Sequence, residues 1–191
     1  MGLVTLGSEY NTRRMDRHNL AKRINLISTI HGQFRLRSGQ TATEYFDKYL
    51  FESQPELLAE IARQMALLIP DNTDALAGLE LGGIPIATML SQLSSIPTFF
   101  VRKAAKDYGT CKLAEGGEVR SQTLVIVEDV VTTGGQVVHS AIELRNLGAT
   151  VRDVLCVIDR ELGGPENLRQ HRLNLRALFT ASELKAALGR D

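Results

Sequence analysis

The fold of this chain is decided by the stretch Leu124-Val125-Ile126-Val127-Glu128-Asp129-Val130-Val131-Thr132-Thr133-Gly134-Gly135-Gln136. Its apolar, mostly β-branched start predicts a buried strand over 124–127 that ends at the two carboxylates. Hydroxyl residues and glycines follow, and the apolar spacing of a helix then begins at Val137. A strand, a glycine-rich turn and a helix in this order are typical of a parallel α/β unit.

The turn at 132–136 is suited to an anion. Backbone N–H groups at the start of a helix have no partner within the helix, and the helix dipole favours negative charge there. Glu128 and Asp129 only accept hydrogen bonds, so they suit sugar hydroxyls or a metal and not a phosphate oxygen. Together these groups predict a site for a phosphorylated ribose. The alternative is a turn that serves packing alone; no Lys follows Gly135, so this is not a Walker A loop.

Composition narrows the class of protein. The 191 residues contain 22 Lys and Arg against 22 Asp and Glu, so no net charge attracts a polyanion, and nucleic-acid binding is disfavoured. The chain has no apolar stretch of membrane-spanning length and no signal-peptide pattern at its start. Cys156 lies in an apolar run and Cys111 in a polar loop, without metal-ligand spacing. We expect a soluble, cytoplasmic protein without a membrane partner.

Hydrophobic periodicity predicts one α/β domain over 1–191. Residues 1–70 form an N-terminal part in this interpretation, with helices over 16–30 and 55–68 and an extended segment over 44–51. Residues 71–191 form the core, with strands over 74–79, 96–101, 124–127, 151–158 and 173–178. Strands that alternate with helices predict a parallel sheet with right-handed crossovers.

Three further segments could carry chemistry at the carboxyl edge of this sheet. The glycines of Glu80-Leu81-Gly82-Gly83 could let the backbone approach a ligand, or could serve packing. Arg160 offers a fork of donors to a carboxylate or phosphate, or could pair with Asp159 or Glu161. The cationic segment 102–109 could be a solvated face, or a lid over an anionic leaving group.

Taken together, these motifs resemble a known family. The turn with its acid pair resembles the ribose-phosphate motif of type I phosphoribosyltransferases, and the combination of motifs resembles the orotate phosphoribosyltransferases. The motifs are F-R-L-R-S-G at 34–39, Tyr45-Phe46-Asp47, G-I-P-I-A-T at 83–88, F-V-R-K-A-A-K-D-Y-G at 100–109 and I-D-R-E-L-G-G at 158–164.

The resemblance implies a type I phosphoribosyltransferase-like parallel sheet flanked by helices, with an N-terminal hood and a flexible catalytic loop. It implies synthesis of orotidine 5′-monophosphate from orotate and phosphoribosyl pyrophosphate in pyrimidine biosynthesis. It also implies Mg²⁺ held mainly by the substrate, and a homodimer in which the loop crosses into the neighbouring site.

The resemblance also assigns residues. It implies catalytic roles for Lys106, Asp129 and Arg102. Phosphoribosyl pyrophosphate would bind Arg37, Arg102, Lys103, Lys106, Tyr108, Glu128, Asp129, Val130, Val131, Thr132, Thr133, Gly134, Gly135 and Gln136. Orotate would bind Tyr45, Phe46, Thr132 and Arg160.

The sequence departs from the family pattern at three of these places. Tyr108 stands where many relatives carry His, Arg37 where Lys is common, and Gly82 at a pyrophosphate-loop position that is often Lys. Two other functions stay open at this point. One is transfer to a different base, which Arg160 disfavours because neutral bases lack a carboxylate. The other is a non-catalytic protein that senses phosphoribosyl pyrophosphate and binds nucleic acid, which would need a separate basic surface.

Overall fold

The computed structural model describes residues 14–35, 39–104 and 112–189. The N-terminal part contains α1 (Arg17–Ser28), β1 (Thr29–Arg35), β2 (Thr41–Phe46), α2 (Lys48–Glu52) and α3 (Pro55–Ala66). The core contains β3 (Ala75–Leu79), α4 (Gly83–Ser94), β4 (Thr98–Val101), β5 (Ala114–Glu115), β6 (Thr123–Val131), α5 (Gly135–Asn146), β7 (Thr150–Asp159), α6 (Gly164–Gln170), β8 (Asn174–Thr180) and α7 (Ala181–Ala186).

The core sheet confirms the predicted α/β fold. Its six strands follow the order β5-β4-β3-β6-β7-β8, and every neighbouring pair is parallel except β4 with β5. The chain winds outward from β3 to β4 and later continues from β6 on the other side of β3. β3 and β6 therefore flank the point where the winding direction reverses, which is where open α/β sheets bind ligands.

The strand predicted over 124–127 is longer than expected. β6 runs from Thr123 to Val131 and includes Glu128 and Asp129, which were predicted to follow the strand. Pairing with β3 ends at Gly78 opposite Val127, whereas pairing with β7 continues to Val131 opposite Asp159. Pairing with β7 keeps the segment with Glu128 and Asp129 extended. Among the described residues, the other edge of this segment has no strand beside it, because β3 has already ended there.

The N-terminal part differs from the sequence prediction at the end of the first helix, where β1 already begins at Thr29, and over the stretch 44–51. The stretch 44–51 was expected to be extended, but β2 ends at Phe46 and α2 begins at Lys48. The Asp47 side chain accepts a hydrogen bond from the Tyr49 N–H at 3.1 Å, which caps the new helix. β1 and β2 form an antiparallel hairpin, and we call this hairpin together with α2 the hood.

The sheet is covered on both faces. One apolar cluster contains residues of α1, α3, α4 and α7, and the other contains residues of α5 and α6. Cys156 is buried in the second cluster, as predicted, while Cys111 lies outside the described residues. Across the described residues, no helix is long and apolar enough to cross a membrane.

Candidate active site

The turn between β6 and α5 is held in place from α6. Gly134 adopts a φ of 75°, in the left-handed region that favours glycine. The side-chain amide of Asn167 donates a hydrogen bond to the backbone carbonyl of Thr133 at 2.7 Å. A Cβ on Gly164 would stand only 2.7 Å from the Thr132 carbonyl, so the start of α6 lies directly against the turn.

The N–H groups of this turn are free for a ligand. Within the described residues, neither Thr133 nor Gly134 donates its backbone N–H to a protein acceptor. Gly135 and Gln136 begin α5, where the first N–H groups have no partner within the helix. The side chain of Val131 is buried, so only its backbone could contact a ligand; Val130, like Thr132, Thr133, Gly135 and Gln136, is at least partly exposed. The turn therefore has the unpaired N–H groups that the anion site predicted from the sequence requires.

The acid pair is buried and engaged. Asp129 is fully buried, and its Oδ2 lies 2.5 Å from Nζ of Lys48. Glu128 and Glu52 are also buried, at 9% and 7% exposure. Lys48 and Glu52 lie on α2, one helical turn apart, so the hood supplies both a cation and a third carboxyl group to this cluster. The sequence predicted Glu128 and Asp129 at an open edge of the sheet and indicated no role for Lys48 or Glu52.

The three carboxyl groups of the cluster have pKa values that are shifted in different directions. Burial, with Asp129 beside it, raises the pKa of Glu52 to about 8 and raises the pKa of Glu128 well above its usual value. Burial acts in the same direction on Asp129, but hydrogen bonds from Glu128 and Lys48 outweigh it and lower the Asp129 pKa. Asp129 is therefore the anion of the cluster at neutral pH, and Glu52, with a pKa of about 8, is a mostly protonated neighbour.

The turn after β3 packs against this strand. A Cβ on Gly82 would overlap the Asp129 carboxylate, and a Cβ on Gly83 would overlap the backbone carbonyl of Val127. The glycine pair is thus required for packing against β6. Glu80 at the start of this turn accepts a hydrogen bond from the Lys103 N–H at 2.6 Å, which ties the end of β4 to the same edge.

Arg160 lies in a cavity between the hood and the core. Its guanidinium carbon is 5.5 Å from the centroid of the Phe46 ring. The cavity has a volume of about 590 Å³, and Tyr45, Phe46 and Arg160 are among the residues that line it. The alternative ion pair is absent from the described residues, since Asp159 accepts the Glu161 N–H and Glu161 accepts hydrogen bonds from Ser182.

The remaining predicted residues lie at the start of the loop after β4 or beyond the described residues. The Arg102 backbone N–H donates to the Leu113 carbonyl, and its buried side-chain Nε has no hydrogen-bond partner among the described residues. Lys103 is exposed. Arg37, Lys106 and Tyr108 lie outside the described residues. Four features therefore lie at one edge of the sheet. They are the turn at 132–136, which we call the phosphate turn, the acid pair Glu128 and Asp129, the turn at 80–83 after β3, and Arg160.

The described residues contain no group of three His, Cys, Asp or Glu side chains that could hold a metal ion. The acid cluster also includes the Lys48 ammonium, which already neutralises Asp129. The residues present therefore do not fit a resident metal.

Comparison with known proteins identifies the family of the chain. Residues 50–169 match the family model of the phosphoribosyl transferase domain, which is more than half of the chain. The chain therefore belongs to the phosphoribosyltransferase family, with the type I fold that its sheet displays.

Within this family the chain is similar to several orotate phosphoribosyltransferases. One from a Nocardioides species is 54% identical over 168 residues, which cover 88% of this chain and 94% of that protein. The crystal structure of the Mycobacterium tuberculosis enzyme in complex with Fe(III) dicitrate has a TM-score of 0.80 and 33% identity, covering 89% of this chain and 99% of the other. The same enzyme in complex with phosphoribosyl pyrophosphate has a TM-score of 0.77 and 29% identity, covering 90% and 99% of the two chains.

Proposed function

We propose that this chain transfers the phosphoribosyl group of phosphoribosyl pyrophosphate to orotate, forming orotidine 5′-monophosphate and pyrophosphate. One observation carries the proposal. A single strand, β6, bears the acid pair and leads directly into the turn at 132–136, while Arg160 follows the neighbouring strand, donates its backbone N–H to the Val131 carbonyl and lines a cavity beside Phe46. The similarity to orotate phosphoribosyltransferases supports the same function.

The ribose would be held at both ends along β6. The N–H groups at 133–136 would bind the 5-phosphate, and Glu128 and Asp129 would receive the 2- and 3-hydroxyls. The base would lie in the cavity beside Phe46, with its carboxylate facing the Arg160 guanidinium. A bidentate contact between these planar groups would distinguish orotate from a neutral base.

The reaction needs positioning and charge stabilisation rather than covalent help from the protein. The bond between the anomeric carbon and pyrophosphate breaks, and pyrophosphate keeps the bonding electron pair. The deprotonated ring nitrogen of orotate forms the new bond at the opposite face. Arg102, Lys103, Lys106 and Tyr108 would stabilise the departing charge, and closure of their loop would exclude water, the competing nucleophile.

Mg²⁺ would enter as a complex with the pyrophosphate group of the substrate, because the described residues do not form a metal site. It would supply charge neutralisation at the leaving group. We further propose a cytoplasmic homodimer in which the loop after β4 reaches the neighbouring subunit's site. These three properties rest on the family resemblance.

A base panel tests the function. The chain is mixed with phosphoribosyl pyrophosphate, Mg²⁺ and one of orotate, uracil, adenine, guanine or hypoxanthine, and pyrophosphate release is followed. We expect pyrophosphate release in the mixture that contains orotate and in none of the mixtures that contain another base. Release with a neutral base instead would assign a different transferase, and no release with any base, together with binding of phosphoribosyl pyrophosphate, would favour a sensor.

A further inference from the structure

Lys48 has no role in the proposed reaction, yet its ammonium pairs with the Asp129 carboxylate of the acid cluster. Its Nζ is 2.5 Å from Oδ2 of Asp129, and its side chain is 33% exposed, whereas that of Asp129 is fully buried. The ammonium therefore lies where a buried acceptor meets open solvent. A ribose hydroxyl that binds this carboxylate must approach the same oxygen or its neighbour.

The place of Lys48 relative to the substrate follows from the direction of β6. The 5-phosphate site comes after Val131, at the end of the strand. The anomeric carbon lies at the opposite end of the ribose, so the pyrophosphate group must leave on the side away from that turn. Gly82 lies against Asp129 on this side, and it contributes no charge of its own. Lys48 reaches the same carboxylate oxygen and so supplies a cation beside Gly82.

We propose that Lys48 binds the pyrophosphate group of the substrate, and that it exchanges Asp129 for this anion when the ribose binds. The proposal rests on the proposed function, since it assumes phosphoribosyl pyrophosphate as the substrate. Without substrate, the buried Asp129 carboxylate requires a partner, because an unpaired buried charge is strongly unfavourable. When a ribose hydroxyl donates to Oδ2, that need is met, and the nearest anion for the released ammonium is the pyrophosphate.

Glu52 makes the exchange feasible. Its buried Oε1 has no hydrogen-bond partner among the described residues and lies 2.8 Å from the position that a Cβ on Gly82 would occupy. A charged carboxylate there, one helical turn from Lys48, would retain the ammonium after Asp129 released it. Burial keeps this group mostly neutral, so α2, whose only acidic residue is Glu52, holds no second anion that would keep Lys48 in place.

Ligand binding to Lys48→Gln tests the proposal by calorimetry with three separate ligands. Phosphoribosyl pyrophosphate and inorganic pyrophosphate, both with Mg²⁺, should bind about tenfold more weakly or worse, the fold-change for one lost hydrogen bond to a charged group. Ribose 5-phosphate should bind within about twofold of wild type, since it lacks the pyrophosphate that Lys48 contacts. Lys48→Arg should retain pyrophosphate binding, and Arg152→Gln, at the opposite edge of the sheet, should change none of the three.

Equal weakening of all three ligands would assign Lys48 a structural role and overturn the proposal, as would unchanged binding of pyrophosphate. A measurement on the wild-type chain covers the case in which Lys48→Gln does not fold. Acetylation of Lys48 by an N-hydroxysuccinimide ester is followed by mass spectrometry. Ribose 5-phosphate should raise the reactivity of Lys48 by releasing it from Asp129, and pyrophosphate should lower it. Reactivity that neither ligand changes would contradict the exchange.

Failure of this proposal and failure of the proposed function give different results. If wild type does not use orotate but binds phosphoribosyl pyrophosphate, the base assignment fails and the Lys48 test still applies. If wild type converts orotate and Lys48→Gln binds pyrophosphate normally, the inference about Lys48 fails alone.

Discussion

Asn167 and Thr133 link α6 to the phosphate turn through a hydrogen bond of 2.7 Å from the side-chain amide to the backbone carbonyl. The bond uses the carbonyl of the turn and leaves the Thr133 N–H free. A carbonyl that faced the ligand would repel a phosphate. Asn167 therefore orients the peptide groups of the phosphate turn, although its own side chain is not proposed to contact the phosphate.

Asn167→Ala should weaken binding of phosphoribosyl pyrophosphate about fivefold, which corresponds to the loss of one neutral hydrogen bond of about 1 kcal/mol. Calorimetric titration measures the effect. Asn174→Ala removes an amide that binds Asp153 at the other edge of the sheet and should leave the affinity unchanged. Equal affinities for the two variants would show that α6 holds the turn without this bond.

Arg160→Lys should raise the KM for orotate about tenfold or more, while the KM for phosphoribosyl pyrophosphate stays near its wild-type value. Lysine keeps the charge but lacks the planar fork that matches a carboxylate, and hydrogen bonds to charged groups contribute about 1.5–3 kcal/mol. Steady-state kinetics with each substrate varied in turn separates the two constants. A parallel rise in both would place Arg160 at the ribose or its phosphate instead of the base.

Gly82→Ala should lower the free energy of unfolding by about 1–3 kcal/mol through overpacking and should weaken binding of phosphoribosyl pyrophosphate. Gly82 has a φ of −71°, which alanine adopts freely, so the expected cause is overlap of the new Cβ with the Asp129 carboxylate. Denaturant unfolding and calorimetry measure the two effects. Gly189→Ala, whose Cβ would meet no atom closer than 4.0 Å, is the matched control.

The stability of the chain should fall as pH rises from about 4.5 to about 8. The folded state raises the pKa of Glu52 from 4.5 to about 8 through burial and the nearby Asp129. Between these two pH values the folded state binds a proton that the unfolded chain has already lost. The free energy of unfolding is therefore highest below pH 4.5, falls as pH rises, and stops falling once Glu52 is ionised in both states.

Glu52→Gln should make this decline shallower, and Glu128 should account for part of what remains, since its pKa is also raised. Denaturant unfolding across the pH range gives the slope. Glu56→Gln, an exposed position on α3, should keep the wild-type slope. A Glu52→Gln slope identical to wild type would mean that Glu52 is ionised in the folded chain.

The sequence predicted the sheet, its winding and the phosphate turn because these depend on local patterns. Alternating apolar strands and helices define a parallel sheet, and the glycine-rich turn must follow β6 at its carboxyl end. The cap of the last helix is also a local pattern, because Thr180 and Glu183 stand three residues apart and form a capping box. Arg160 was predicted at this edge because it follows a strand, and it does lie directly after the end of β7.

The rest depends on contacts between distant segments. Nothing in the sequence around Asp47 shows that its side chain caps α2, and a helix as short as Lys48–Glu52 has too little periodicity to detect. The spacing of Lys48 and Glu52 could have suggested a shared helix face. Their partner Asp129 lies 81 positions after Lys48, and only the docking of the hood brings the two together.

The continuity of β6 through the acid pair fixes which sugars fit. Asp129 and the start of the turn at Thr132 are joined by extended backbone, which rises about 3.3 Å per residue. Covalent geometry thus sets the span between the Asp129 carboxylate and the N–H groups of the turn, which are the proposed contacts to the ribose hydroxyls and to the phosphate. If the turn holds the phosphate, the hydroxyls next to the anomeric carbon of a hexose 6-phosphate would lie one carbon further from the turn than those of ribose 5-phosphate, so the spacing along β6 would align a pentose with its reacting carbon at the acid pair.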